Sequence, residues 1–292
     1  MRTTRRARLW TLAPALLLFA LVALLPIGEL LALSVSQVDW RGGQAQWRFV
    51  GTAQYVRVFQ DALFHAGALN TAIFAFTAVL VQMLLGFALA LMTTKVARGR
   101  VAYRTVFLLP ILVPGIVIGA MWKLMFNLDF GVINQVLDVV GLPAVDWLGN
   151  TATALASVIA VDVWHWTPFV FLLMLAGLES LPQDIYEATR VDGATFAQEL
   201  RYVTLPLMLP TMVVIFVFRL IVGIKVFDEI YLLTGGGPGT ATEVVSYSIY
   251  RRFFIEGQTG YGAAMSVVVL LALALLFVLA RLVTRRPAMA VR

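Results

Sequence analysis

The 292-residue chain has no cysteine and only two histidines, His65 and His165. Without thiols it has no disulfide framework, thiolate metal site or cysteine nucleophile, and two histidines are too few for a histidine-rich metal cluster. Charge is scarce as well. Asp, Glu, Lys and Arg make up 13% of the residues, whereas the apolar set from Ala to Cys makes up 61%, well above the roughly 45–50% of soluble domains. A water-soluble globular enzyme is excluded, because an apolar excess of this size would have to lie on its surface. The net charge of +6 comes from 22 scattered Lys and Arg, with no basic stripe interleaved with aromatics, so nucleic acid is not a partner.

What the chain does have is long apolar runs. Stretches of about 20 residues, enough to cross ~30 Å of hydrocarbon as helix, lie at 12–35, 66–92, 105–126, 152–178, 205–224 and 263–283. None alternates with period two, so they are helices rather than barrel strands. The expected fold is all-α: a polytopic membrane protein with six transmembrane helices. Arg2, Arg5, Arg6 and Arg8 ahead of the first run imitate a secretory signal. That run is too long for a signal's apolar region and no small-residue cleavage site follows it, so it reads as a retained first helix.

Basic residues set the orientation. Fourteen Lys and Arg fall on one side of the spans: the start of the chain, Lys95 to Arg104, Arg190 with Arg201, and Arg281 to Arg292. Six fall on the other side: Arg41, Arg48, Arg57, Lys225, Arg251 and Arg252. The positive-inside rule places both termini in the cytoplasm. His65 then falls in an outer loop and His165 mid-span.

The 26 residues between spans four and five, 179–204, carry the strongest pattern. Ser180 with Gln183, and Thr195 with Gln198, fit the capping-box spacing, Pro182 suits a first turn, and Gly193 suits a positive-φ turn. Two short helices at an angle are predicted, the second with Phe196, Leu200 and Val203 along one face. A hairpin resting on lipid headgroups would be rich in Lys and Arg. Here five acids, Glu179, Asp184, Glu187, Asp192 and Glu199, outnumber two arginines, and an anionic leaflet would repel them. A docking surface for a cytosolic protein fits better.

The run Glu187-Ala-Thr-x3-Gly193-x9-Val203-x-Leu205-Pro206 resembles the EAA loop of binding-protein-dependent ABC importer permeases, with Thr189 and Val203 in place of the usual Ala and Ile. Asp162-x-Trp164-x3-Pro168-Phe169, Leu175-Ala-Gly-Leu178, Leu232-Leu-Thr-Gly-Gly-Gly-Pro238 and Gly260-Tyr-Gly-Ala-Ala-Met-Ser266 resemble its carbohydrate branch, in particular the maltose-permease F-type subunits. The resemblance covers residues 60–285. It implies the type I importer permease fold, with an N-terminal segment 1–60, a permease core 61–285 holding the coupling loop 179–206, and a tail 286–292. It implies a bacterial inner-membrane location and a sugar, polyol or glycoside as cargo. The implied partners are a second, different permease chain, two copies of a cytosolic ABC ATPase that carry ATP and Mg, and an extracytoplasmic solute-binding protein. It also implies ATPase-coupling roles for Tyr186, Glu187, Ala188, Asp192 and Gly193.

This chain itself is expected to bind no cofactor and to have no catalytic site: it lacks the G-x-x-x-x-G-K-[ST] phosphate loop, and the run Gly235–Pro238 has no lysine. Mid-span polar residues are costly in lipid and so mark a cavity or a partner. On helical spacing Asp162, His165, Trp166 and Phe169 share one face, as do Arg219, Val222, Gly223 and Val226. The resemblance places these eight where the F-type subunits line a sugar pocket, where rings stack on sugar faces and charged groups bond hydroxyls. The residues alone leave a second reading open: Asp162 pairs with Arg219, His165 is a satisfied core group, and the tryptophans are packing.

Lesser features each carry two readings. Asp228-Glu229 and the Gly235–Gly239 loop receive the binding protein or are a solvated connection. Glu29 reaches the headgroups, and Gly115-x-x-x-Gly119 makes a close helix contact. Rival functions are an importer of the same class for an anionic sugar phosphate or sulfonate, suggested by Arg219 and Lys225, a stand-alone secondary transporter, and a polytopic membrane enzyme. The last would need catalytic groups gathered at one interface, which the two histidines do not provide.

Overall fold

A computed structural model describes residues 2–41, 44–95 and 105–284. In chain order the elements are α1 (Arg2–Ser34), β1 (Ser36–Arg41), β2 (Gln44–Phe49), α2 (Ala53–Gln60) and α3 (Ala62–Lys95). A bent pair follows, α4 (Thr105–Leu112) and α5 (Gly115–Met125). Then come α6 (Val132–Val139), α7 (Ala154–Glu179), α8 (Gln183–Val191), α9 (Phe196–Glu199) and α10 (Leu205–Ile224). The last are α11 (Asp228–Leu233), α12 (Val245–Tyr250) and α13 (Thr259–Thr284). Five helical stretches are long and apolar enough to cross a membrane, Leu12–Ser34, Ala62–Thr94, Ala154–Glu179, Phe196–Leu233 and Thr259–Leu282, and the bent pair makes a sixth if it is one span. The six apolar runs of the sequence thus fall on helices.

Four expectations change. The connection after α1 is an antiparallel hairpin, with Ser36 opposite Phe49 and Val38 opposite Trp47, so the helical fold carries a small sheet. His65 lies within α3 and not in a loop. Ser180 does not cap α8: it closes α7, its hydroxyl donating to the Gly177 carbonyl at 2.7 Å, and Pro182 stands at the N-cap of α8. Span three is broken, with α4 and α5 meeting at 98°. Proline disfavours helical backbone in the residue before it, and Val113, ahead of Pro114, is extended at φ −84° and ψ 128°.

Two compact units divide the chain, Met1–Phe64 with Ser248–Ala274 and His65–Tyr247 with Leu275–Arg292. In the first, Arg57 donates to Gln258 Oε1 at 2.7 Å and lies 4.1 Å from the Tyr261 ring centre. Tyr261 donates its hydroxyl to Asp61 at 2.6 Å. A cavity of about 830 Å³ opens among Gln37, Asp39, Arg48, Gln54, Arg57 and Gln258.

The second unit is held by two apolar clusters. One gathers Val79 and Met83 of α3, Phe171, Met174 and Leu175 of α7, and Met208 and Ile215 of α10. The other gathers Phe74 of α3, Ile118 of α5, Val158 and Val161 of α7, and Ile230 of α11.

Gly115 and Gly119 let α5 lie directly on α11. A Cβ on Gly115 would stand 2.7 Å from the Asp228 carboxylate, and one on Gly119 would stand 2.7 Å from Leu232 Cβ. Overpacking of this kind costs about 1–3 kcal/mol. Gly119→Val is therefore expected to lower the thermal unfolding temperature of the detergent-purified chain, and an unchanged transition would contradict this contact.

Candidate functional site

Mid-membrane polarity converges from three helices of the second unit. Gln82 on α3, Asp162 on α7 and Arg219 on α10 are 0%, 3% and 0% exposed. Arg219 donates Nη2 to Asp162 Oδ2 at 2.9 Å and Nε to Gln82 Oε1 at 2.9 Å. Gln82 Nε2 in turn donates to Asp162 Oδ2 at 2.8 Å and to the Asp162 carbonyl at 3.0 Å. The guanidinium lies 4.4 Å from the Trp166 ring centre, and its Nη1 has no partner among the described residues.

Of the two readings of Asp162 and Arg219, the structure contains the mutual pair. Removing two charges from water costs several kcal/mol per ion, which attraction offsets only when the remaining donors and acceptors are also met. Gln82 meets two of them, Arg219 Nε and Asp162 Oδ2, and the opposite formal charges of the pair cancel.

The other pocket candidates divide. Trp166 and Phe169 are half-buried and meet edge to face at 5.9 Å, with the Phe218 ring tilted against Phe169 at 5.4 Å. Buried His165 faces Glu229 of α11, Nδ1 to Oε1 at 3.4 Å. Val222 is half-buried. Gly223 packs on Ala75, 3.3 Å from where its Cβ would be. Val226 belongs to the second apolar cluster, and its carbonyl accepts from the Ser246 hydroxyl.

Two members escaped the sequence reading. Gln82 is a lone amide in an apolar run, a visible signal passed over in favour of charges. Glu229, which the sequence pairs with Asp228 as a contact for the binding protein or a solvated connection, is 6% exposed, so the solvated reading does not hold for it.

The 179–206 segment forms a second candidate site. Two motifs set its angle. At the end of α8 the Ala194 N–H bonds the Thr189 carbonyl at 3.0 Å and the Gly193 N–H bonds the Arg190 carbonyl at 3.1 Å. This double closure requires a left-handed residue between them, and Gly193 supplies it at φ 72°. Thr195 and Gln198 then form the predicted capping box at the start of α9.

A single π turn, Leu200–Thr204, joins α9 to α10. Its extra residue per turn interrupts the straight apolar stripe expected of Phe196, Leu200 and Val203. Tyr186 Oη lies 3.2 Å from Thr204 Oγ1, tying the first short helix to the start of span five.

The groove beside this turn, about 590 Å³, is lined by Glu179, Tyr186, Glu187, Arg190, Phe196 and Glu199 among others. Glu187, Ala188, Asp192 and Gly193 are exposed, so the acidic turn presents a preformed surface outward.

A model of the family described as "Binding-protein-dependent transport system inner membrane component" matches residues 82–288. The chain is 39% identical over 219 residues to the trehalose/maltose transport system permease protein MalF of Thermococcus litoralis, covering 75% of this chain and 74% of that one. Among solved structures it is similar to a bacterial ABC transporter involved in the import of the acidic polysaccharide alginate, at 25% identity and TM-score 0.85 over 99% of this chain and 100% of that one. The same score, at 24% identity and 98% coverage of both chains, is found with an alginate ABC transporter in complex with an alginate pentasaccharide-bound periplasmic protein.

Proposed function

Starting from the fact that this chain belongs to the family of binding-protein-dependent transport system inner membrane components, we propose that it is the permease subunit of an ATP-driven ABC importer for a neutral sugar, polyol or glycoside. It spans the bacterial inner membrane with both termini in the cytoplasm. It pairs with a second permease, a different chain, to form the translocation path. ATP and Mg are bound and hydrolysed on two copies of a partner ATPase, and cargo arrives on an extracytoplasmic binding protein. Residues 61–285 are the transport core and 1–60 an added first span and outer segment; the tail 286–292 lies outside the described residues.

The observation that carries this reading is the acidic turn 183–204, fixed by the Gly193 closure and the Thr195 capping box within the family-matched region. Tyr186, Glu187, Ala188, Asp192 and Gly193 form its contact with the ATPase. Closure of the ATPase dimer pushes on this turn. Because it runs directly into α7 and α10, the push moves both spans and converts an inward-facing cavity to an outward-facing one, a two-state element biased from both ends.

Cargo passes beside Asp162, His165, Trp166, Phe169, Arg219 and Val222, while Gly223 and Val226 support the wall by packing. The neutral cargo class is supported by the Asp162–Arg219 pair, in which the buried guanidinium already has its counter-ion.

The test is ATPase activity of the importer reconstituted with its second permease, ATPase and binding protein. Stimulation is expected to require both the binding protein and a neutral saccharide or polyol. Stimulation by sugar phosphates or sulfonates alone would reassign the cargo as anionic, and failure to assemble with any ATPase would return the chain to stand-alone transporters.

A further inference from the structure

Gln82 uses both ends of its amide in the buried cluster, and no cargo or coupling role above includes it. Its two amide ends are not interchangeable here. The nitrogen donates to the Asp162 carboxylate and carbonyl, and the oxygen accepts from Arg219 Nε. Without it, Arg219 Nε would be buried without an acceptor, and Asp162 would keep one donor where it now has two. Both are costly in an apolar interior.

Its placement adds a mechanical role. Val79 and Met83, on either side of Gln82 in α3, pack in the apolar cluster that also holds Phe171 of α7 and Ile215 of α10. The amide is thus the polar link from span two to spans four and five at the level where those helices already interlock.

We infer that Gln82 is a positioning residue of the transport cycle: its amide fixes the Asp162–Arg219 pair and makes spans two, four and five move as one body. The inference rests on the importer reading above. A push delivered to the loop between α7 and α10 is then transmitted to α3 through hydrogen bonds of fixed direction. Glutamine suits the position because it donates and accepts while adding no charge. Among the described residues, the other ionisable groups that act on the pair are His165 on α7 and Glu229 on α11, which face each other.

Two substitutions of similar size separate this role from packing. Gln82→Met fills the space and offers no hydrogen bond. Gln82→Glu, when protonated, keeps a carbonyl acceptor and a hydroxyl donor in the same places; when ionised, it sets a second carboxylate against Asp162.

In the full importer reconstituted with its partners, uptake and ATPase activity are measured per assembled complex across mildly acidic to mildly alkaline buffer. Gln82→Met is expected to keep basal ATPase activity and cargo KM, while uptake kcat falls roughly tenfold or more, the size expected when a buried charged group loses a partner. Gln82→Glu is expected to approach wild-type uptake in acid and lose it in alkali. If Gln82→Met fails to assemble, acid recovery of kcat in Gln82→Glu still supports the role. Wild-type uptake by Gln82→Met, a change in KM alone, or a pH-independent Gln82→Glu overturns it. If the wild-type importer moves no cargo, the importer reading falls first and takes this inference with it.

Discussion

In the Glu187→Ala importer, uptake is expected to be lost while the permease still assembles in the membrane and the binding protein keeps its cargo affinity. Glu187 is exposed on α8 and its side chain makes no hydrogen bond among the described residues, so its removal costs the fold no more than about 0.5 kcal/mol. A charge-assisted hydrogen bond to a partner Arg or Lys is worth about 1.5–3 kcal/mol, which predicts a roughly ten- to hundredfold fall in coupled ATPase activity and uptake.

Gly193→Asp tests the same surface from the backbone side. Nothing lies within 4 Å of the Cβ position, so the side chain fits, but the left-handed conformation at φ 72° costs a non-glycine residue about 1–2 kcal/mol. The new carboxylate also joins a loop that already holds five acids. Asn and Asp tolerate this backbone region alike, so Gly193→Asn, which adds no charge, should retain more uptake than Gly193→Asp. Normal uptake in both Glu187→Ala and Gly193→Asp would remove the coupling role from this loop.

The second large effect falls on the buried pair. Asp162→Ala leaves Arg219, fully buried, without its counter-ion and leaves Gln82 Nε2 without its carboxylate acceptor. Breaking a buried pair by removing one partner costs about 3–5 kcal/mol, a large share of a typical protein's stability. The variant is expected to accumulate poorly in membranes and to lose its cooperative thermal transition in detergent. Removing both charges in Asp162→Asn with Arg219→Gln should restore much of the folded protein, because no uncompensated ion remains. Equal loss in the single and double variants would show that the side chains serve by shape and not by charge.

The membrane architecture could be read from the sequence because each span is an apolar run long enough to cross the bilayer, and helix satisfies its backbone bonds internally. The turn at Gly193 was legible for a similar reason: a glycine two residues before a Thr-x-x-Gln box is a local signal. Non-local partners were not legible. Gln82 and Asp162 are 80 residues apart, and no periodicity within one helix says which neighbour an amide faces. Glu229 was misplaced because two adjacent carboxylates look solvated until the helix that buries one of them is known.

The hairpin was a missed signal. Segments 36–41 and 44–49 flank Gly42-Gly43, a two-residue turn doublet, but their apolar residues were too few to register in a search for spans. The bend in span three was also present in the sequence, as Pro110 and Pro114 within one apolar run. Counting hydrophobic length averaged over both.

The first span has one property with a use in genetics. In its most apolar 18-residue window, no residue is buried inside the chain, so hydropathy is the only demand the rest of this polypeptide makes on its side chains. A saturation library across that window, selected for growth on the cargo, would therefore record outside neighbours. Positions accepting any apolar residue would be those facing lipid tails. Positions that reject a change of shape, repeating once per helical turn, would be the imprint of another molecule lying against this helix.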